Sequence, residues 1–257
     1  MTNINYPTFR LDDQIVVITG ASKGIGRGIA KVMARYGATT ILCARNEVAL
    51  NDLKTEIRIE NGIAFVYKID LSSVANIKEV FKNIYDKFNR IDVLINNAGL
   101  GFNHPALEVT EADWDGMMDV NMKGLFFCAQ QAGKYMAKNN YGRIINMSSQ
   151  ASLVGIKDHL VYSASKGGVN MITKVLALEW AEQGITVNNI APTFTYTPGT
   201  AERLENPEYL KNVIDRIPVK KVADINDIAS AILYLTGSNS GMTTGTTLVI
   251  DGGWTVQ

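Results

Sequence analysis

The chain is predicted to be an α/β protein: a single domain built on a doubly wound parallel sheet of seven strands, with helices on both faces. Three observations lead there. Short apolar runs rich in β-branched residues alternate with stretches whose apolar positions recur at helical spacing, which is the pattern of a parallel sheet buried on both sides. The first run passes through a glycine-rich turn straight into a helical stretch. No linker, repeat or low-complexity segment interrupts the 257 residues, a length that one α/β core commonly supports.

Taken in order, residues 14–18 form the first apolar run, and Thr19-Gly20-Ala21-Ser22-Lys23-Gly24-Ile25-Gly26 follows it. Ile25, Ile29, Val32 and Met33 then recur as one face of a helix. Further strands are expected near 39–43, 64–69, 91–96, 142–147, 185–190 and 246–250, most of them separated by enough chain for one crossover helix. Thr110 can cap a helix running through Trp114, Met118 and Leu125, with Asp113 in its first turn. Residues 192–218 break the rhythm, because Pro192, Pro198, Gly199, Pro207 and Pro218 fall within them. Their place after the sixth strand suits a lid, since such sheets bind ligands beyond the carboxyl ends of their strands. The alternative is a disordered surface insertion.

Hydrophobic residues make up 46% of the chain and the formal net charge is zero. That is enough for a sizeable core, and it gives no global attraction to nucleic acid or anionic membrane. Residues 1–7 lack the basic and apolar regions of a signal peptide, and no apolar run is long enough to span a bilayer, so a cytoplasmic location is expected. Cys43 and Cys128 show no metal-ligand spacing and read as buried free thiols. No metal is expected.

The glycine turn allows the backbone to approach a pyrophosphate, and the helix start behind it offers amides and a dipole to the anion. Gly20, Ser22, Lys23, Gly24, Ile25 and Gly26 are the candidates, although the spacing differs from G-x-G-x-x-G. Later, Tyr162-Ser163-Ala164-Ser165-Lys166 places a phenol and an ammonium four positions apart, on one face if the segment is helical. A free Tyr titrates near about 10. A neighbouring positive charge is expected to favour its phenolate and bring it towards the working range of a general acid or base. Ser149 is placed to hold the reacting oxygen. Neither His104 nor His159 belongs to a hydrolase triad motif.

Together, the 19–26 turn, Asn96-Asn97-Ala98-Gly99, Asn121, Ser149, Tyr162 and Lys166 resemble the classical short-chain dehydrogenase/reductase family, over nearly the whole chain. The resemblance implies a Rossmann-type fold, a homotetramer or homodimer, and hydride transfer between a nicotinamide and a carbonyl or alcohol. It implies that Tyr162 moves the proton, Ser149 polarises the oxygen, and Lys166 stabilises the phenolate and binds the nicotinamide ribose. Asn121 would hold a relay water. It also implies that Asp70 and Leu71 line the adenine, that Asn97, Ala98 and Gly99 lie against the adenosine ribose, and that Pro192, Thr195 and Thr197 lie against the nicotinamide half. Thr193 stands where the family usually has Gly.

After the second strand comes Ala44-Arg45-Asn46, with no carboxylate to accept from ribose hydroxyls. Arg45 and Lys23 can instead hold a 2′-phosphate, so NADP is the preferred cofactor and NAD a possible one. Gln150, His159, Thr193, Phe194, Tyr196 and Trp254 are expected to wall the substrate pocket. The expected substrate is a small carbonyl or alcohol, closest to the polyols, sugars and sugar acids such as gluconate that some family members use. The alternatives are a 3-oxoacyl-carrier-protein reductase and, from another class, a non-catalytic NADP-binding sensor.

Overall fold

The structure, a computed structural model, describes residues 8–256. The expectation that residues 1–7 carry no signal peptide lies outside them. In chain order the main elements are β1 (Ile15–Thr19), α1 (Gly24–Arg35), β2 (Thr39–Ala44), α2 (Glu47–Ile59), β3 (Ile63–Lys68), α3 (Val74–Phe88), β4 (Val93–Asn96), α4 (Glu111–Met118) and α5 (Leu125–Met136). They continue with β5 (Gly142–Met147), α6 (Leu160–Trp180), β6 (Ile185–Pro192), α7 (Ala201–Leu204), α8 (Pro207–Asp215), α9 (Ile225–Thr236) and β7 (Thr247–Ile250). The seven strands pair in parallel in the order β3-β2-β1-β4-β5-β6-β7. This is the doubly wound sheet the sequence predicts.

Two apolar layers flank the sheet. Ile29 and Met33 of α1, Leu50 and Leu53 of α2, and Ile228 and Ile232 of α9 pack with Val16 and Ile18 on one face. Ile77 and Phe81 of α3, Ala129 and Ala132 of α5, and Leu176 of α6 pack with Ile15 and Val17 on the other. Strand β1 is buried along its whole length, so its side chains serve both layers and its sequence is a continuous apolar run rather than an alternating one. Strand order reverses between β1 and β4, which opens a crevice beyond their carboxyl ends.

Two expectations change. The helix expected through Trp114, Met118 and Leu125 starts on the Thr110 and Asp113 capping box as foreseen, but Asp119–Gly124 wind as a π-helix between α4 and α5. Long-range contacts impose that irregularity: Gly124 lies against the Leu71 carbonyl and side chain, and Asn121 bonds to Leu100. Residues 192–218 are not a structureless insertion. They contain α7 and α8, the latter opened by an Asn206 cap and Pro207, and their start is tied to the body by Thr193 N–H to the Ile250 carbonyl and by reciprocal bonds of Phe194 and Tyr196 with Ala223.

Cys43 and Cys128 are free and buried, and burial pushes the Cys43 thiol up to about 12. Among the described residues no helix is long and apolar enough to cross a membrane, and no group of three His, Cys, Asp or Glu could hold a metal ion.

Candidate active site

The crevice is walled first by the glycine turn. Gly20 has a left-handed φ of +67°, and a Cβ there would come within 2.7 Å of the Ala98 Cα. At Gly26 a Cβ would run into the Asn97 side chain and lie 2.5 Å from the Gly20 carbonyl oxygen. The two glycines thus let the β1–α1 turn and the end of β4 approach each other. Thr19 Oγ1 completes the junction by accepting from the Asn97 and Ala98 amides at 3.1 and 3.2 Å, and Asn97 Nδ2 donates to the Thr19 and Gly20 carbonyls. No side chain caps α1 and no acid stands in its first turn. Its leading amides are left for an anion.

The second wall carries the titrating groups. In α6, Lys166 Nζ lies 5.7 Å from the centre of the Tyr162 ring, as the four-residue spacing requires. Nζ donates to the Met147 carbonyl at 2.6 Å, and the side chain is almost wholly buried. Burial brings its pKa down from 10.5 to about 8. The expected depression of the phenol is not what the protein alone imposes. Burial raises the Tyr162 pKa, and a hydrogen bond with Ser149 only partly offsets it. Ser148 is held elsewhere, donating to Asn170 Oδ1 at 2.7 Å, which leaves Ser149 as the serine at the phenol. Asn121, in the π-helix, accepts from Leu100 N–H at 2.7 Å and donates to the Leu100 carbonyl and Ser165 Oγ. It braces the loop after β4 against α6.

These walls enclose a cleft of about 890 Å³. Gly20, Ser22, Lys23, Gly24, Ile25, Arg45, Asp70, Leu71, Asn97, Ala98, Gly99, Ser149, Tyr162, Lys166, Pro192, Thr195 and Thr197 all line it, as do Gln150, His159, Thr193 and Phe194. Four expected residues do not: Gly26, Asn121, Tyr196 and Trp254. Gly26 is packing against Asn97, Tyr196 is exposed with its hydroxyl bonded to Glu205, and Trp254 stands behind Phe194 with Arg216 over its ring. The turn Gly252-Gly253 folds back on Val219 and Pro218, which carries Trp254 away from the opening. Asn121 is fully buried and acts through its bonds rather than as lining. Leu100, Gly101, Asn103, Thr200 and Arg203 line the cleft without having been foreseen. Thr200 and Arg203, three apart at the start of α7, carry a polar face that the sequence pattern contained, but only the fold brings it to the edge of the cleft.

Asp70 takes hydrogen bonds from the Ser72 amide and hydroxyl, which with the nearby Arg45 charge lower its pKa. Across the opening, Thr197 sits against Gly24, its Cβ 3.8 Å from where a Gly24 Cβ would be.

A fold of this order, with an uncapped helix behind a glycine turn and a phenol, an ammonium and a serine hydroxyl at one cleft, defines a nucleotide-dependent oxidoreductase. Residues 20–255 match the family model described as enoyl-(acyl carrier protein) reductase, and the chain belongs to the short-chain dehydrogenase/reductase family. It is 35% identical over 251 residues to D-threitol dehydrogenase of Mycolicibacterium smegmatis, covering 97% of this chain and 95% of that one. It is 36% identical over 244 residues to the 3-oxoacyl-[acyl-carrier-protein] reductase of Thermotoga maritima, covering 95% and 98%. Among solved structures, a gluconate 5-dehydrogenase from Burkholderia cenocepacia, in complex with NADP and tartrate, superposes with a TM-score of 0.93 at 30% identity, covering 97% of this chain and 98% of that one. The protein is an NAD(P)-dependent dehydrogenase or reductase acting on CH–OH groups and their carbonyls.

Proposed function

We propose that this single-domain enzyme is an NADP-preferring dehydrogenase of sugars, polyols or sugar acids, with Tyr162, Ser149 and Lys166 as its catalytic residues. The observation that carries the reading is that Tyr162, Ser149 and a buried Lys166, whose Nζ lies 5.7 Å from the Tyr162 ring centre, line the same cleft as the glycine turn. The residues fit a dinucleotide: the open amides of α1 and the Thr197 hydroxyl face a pyrophosphate, and Lys23 and Arg45 suit a 2′-phosphate. When bound, the nicotinamide supplies the hydride donor or acceptor.

In reduction, the Tyr162 phenol gives its proton to the carbonyl oxygen; in oxidation, its phenolate takes the alcohol proton. Ser149 orients that oxygen. Because burial alone raises the phenol, the lowered pKa that oxidation needs has to come from the Lys166 ammonium in the assembled complex. Asn121 Nδ2 and Oδ1 are engaged by Leu100 and Ser165, so a relay water at this residue would rest on its main-chain carbonyl. Residues 192–218 act as the lid. A cytoplasmic homotetramer or homodimer belongs to the same reading.

The substrate class follows the relatives named for threitol and gluconate, and the tartrate in the Burkholderia complex is itself a hydroxy acid. A second reading, reduction of 3-oxoacyl thioesters, follows the Thermotoga relative. Nicotinamide absorbance measured with a panel of polyols, sugar acids and a 3-oxoacyl thioester decides between them. Activity on the thioester alone would replace the proposal, and activity on nothing with intact NADP binding would favour a sensor.

A further inference from the structure

The cleft is far from neutral although the chain is. Among the described residues that line it, Lys23, Arg45, Lys166 and Arg203 are cationic, and Asp70 is the only carboxylate. Asp70 takes hydrogen bonds from Ser72 and feels the Arg45 charge. Three of the four cations have partners in the proposed reading: Lys23 and Arg45 at the 2′-phosphate, Lys166 at the phenol. The pyrophosphate meets the α1 amides and Thr197. Arg203 is left over, and no ion pair holds it among the described residues.

Arg203 belongs to α7, whose Leu204 is buried beneath it. Burial of Leu204 fixes the helix face, so that Thr200 and the solvent-exposed Arg203 both line the cleft. The lining also includes neutral hydrogen-bonding side chains, Asn103, Gln150, His159 and Thr193, with the His159 ring centre 6.4 Å from that of Tyr162. Gln150 Oε1 and Thr193 Oγ1 have no hydrogen-bond partner within the protein, and both residues are at least nine-tenths buried. Buried polar oxygens without partners are costly unless something pairs with them. Hydroxyl groups along a sugar chain are the complement of such a wall, and nothing acidic there would repel an anion.

Resting on the proposed function, we propose that Arg203 holds a carboxylate of the substrate, which is therefore a polyhydroxy acid or its keto form rather than a neutral polyol. The planar guanidinium pairs with a carboxylate through two parallel bonds, a geometry that an ammonium does not reproduce. Because Arg203 sits on the lid segment, the acid group that selects the substrate also draws the lid over it.

The test compares kcat/KM for D-gluconate and for D-glucitol, of equal chain length, in wild type, Arg203→Leu and Arg203→Lys. Wild type favours gluconate. In Arg203→Leu the gluconate-to-glucitol ratio falls about 10- to 100-fold, through KM, as expected for a lost charged hydrogen-bonding pair. Arg203→Lys recovers part of it. NADPH affinity, titrated by fluorescence, holds in both variants. A wild-type preference for glucitol, or a ratio that does not move on mutation, overturns the inference while leaving the dehydrogenase reading standing. Loss of NADPH affinity overturns it too, by assigning Arg203 to a cofactor phosphate. If no panel compound is turned over, the proposed function fails first. Calorimetry of gluconate with the NADP⁺-bound protein then decides Arg203, and a titration without binding overturns its role.

Discussion

The two walls of the cleft are built by different means. The glycine turn meets the end of β4 through backbone contacts so close that Gly20 and Gly26 have no room for a Cβ. The wall formed by residues 193–200 is held by a mesh of threonine hydroxyls: Thr200 Oγ1 donates to the Thr195 carbonyl at 2.7 Å and accepts from Thr197 N–H at 3.0 Å, and Thr195 Oγ1 donates to the Thr193 carbonyl. Close packing of backbone has one solution, whereas a hydroxyl mesh has several of similar energy. A rigid cradle therefore faces a wall able to rearrange, a division that suits a common cofactor and a particular substrate.

The sharpest way to test that division is chemical. Tyr162→Phe keeps the ring in the fixed wall and removes its proton, so kcat should fall about 10²- to 10⁴-fold while NADPH binding persists. Near-normal turnover in the folded variant would remove Tyr162 from the mechanism.

Next comes a matched pair. Gly26→Ala forces a methyl group against Asn97 and the Gly20 carbonyl, at about 1–3 kcal/mol for overpacking, and should abolish cofactor binding in whatever protein folds. Thr200→Ala removes lid hydrogen bonds at about 0.5–1.5 kcal/mol each, and should speed amide exchange in α7 and α8 while leaving β1 and β4 unchanged. Equal effects on both regions would erase the distinction between the walls.

Within the cradle, replacing Lys23 and Arg45 together by Ala should weaken NADP by about 10- to 100-fold and NAD much less, because only NADP carries the 2′-phosphate. Tighter binding of NAD than of NADP by wild type would reverse the cofactor assignment.

The smallest effect is a pH slope. Lys166 has its pKa lowered from 10.5 to about 8 in the folded protein, so between those values the unfolded chain binds the extra proton. Stability contributed by this group therefore rises as pH increases from 8 to 10.5 and has its full cost below 8. The raised Tyr162 pKa acts in the opposite sense only towards the upper end of that window. Denaturant midpoints of cofactor-free wild type and Lys166→Met should diverge in favour of wild type across it. A constant difference would mean that Lys166 keeps an ordinary pKa in the folded state.

How much was legible depends on how far each signal reaches along the chain. Tyr162 and Lys166 could be paired from the sequence because one helix turn separates them. The turn at Gly20 could be recognised because strand, glycines and helix are contiguous. Trp254 was misplaced because its direction depends on Gly252 and Gly253 folding against Val219 and Pro218. The π-helix was hidden because its causes, Leu71 and Leu100, lie in other segments. Arg203 was missed because a short polar helix reads as solvent-facing until Leu204 is seen to be buried.

By itself, then, the sequence determined the alternation of strands and helices, the glycine cradle and the phenol–ammonium pair, all of which follow from spacing within a few residues. The tertiary structure alone decided that burial lifts the Tyr162 pKa, that Asn97 and Asn121 serve as braces, and that Arg203 comes to line a cleft with a single lining carboxylate. The physical reason is that solvation, packing and charge balance depend on which distant segments meet, and spacing along the chain carries no measure of that distance.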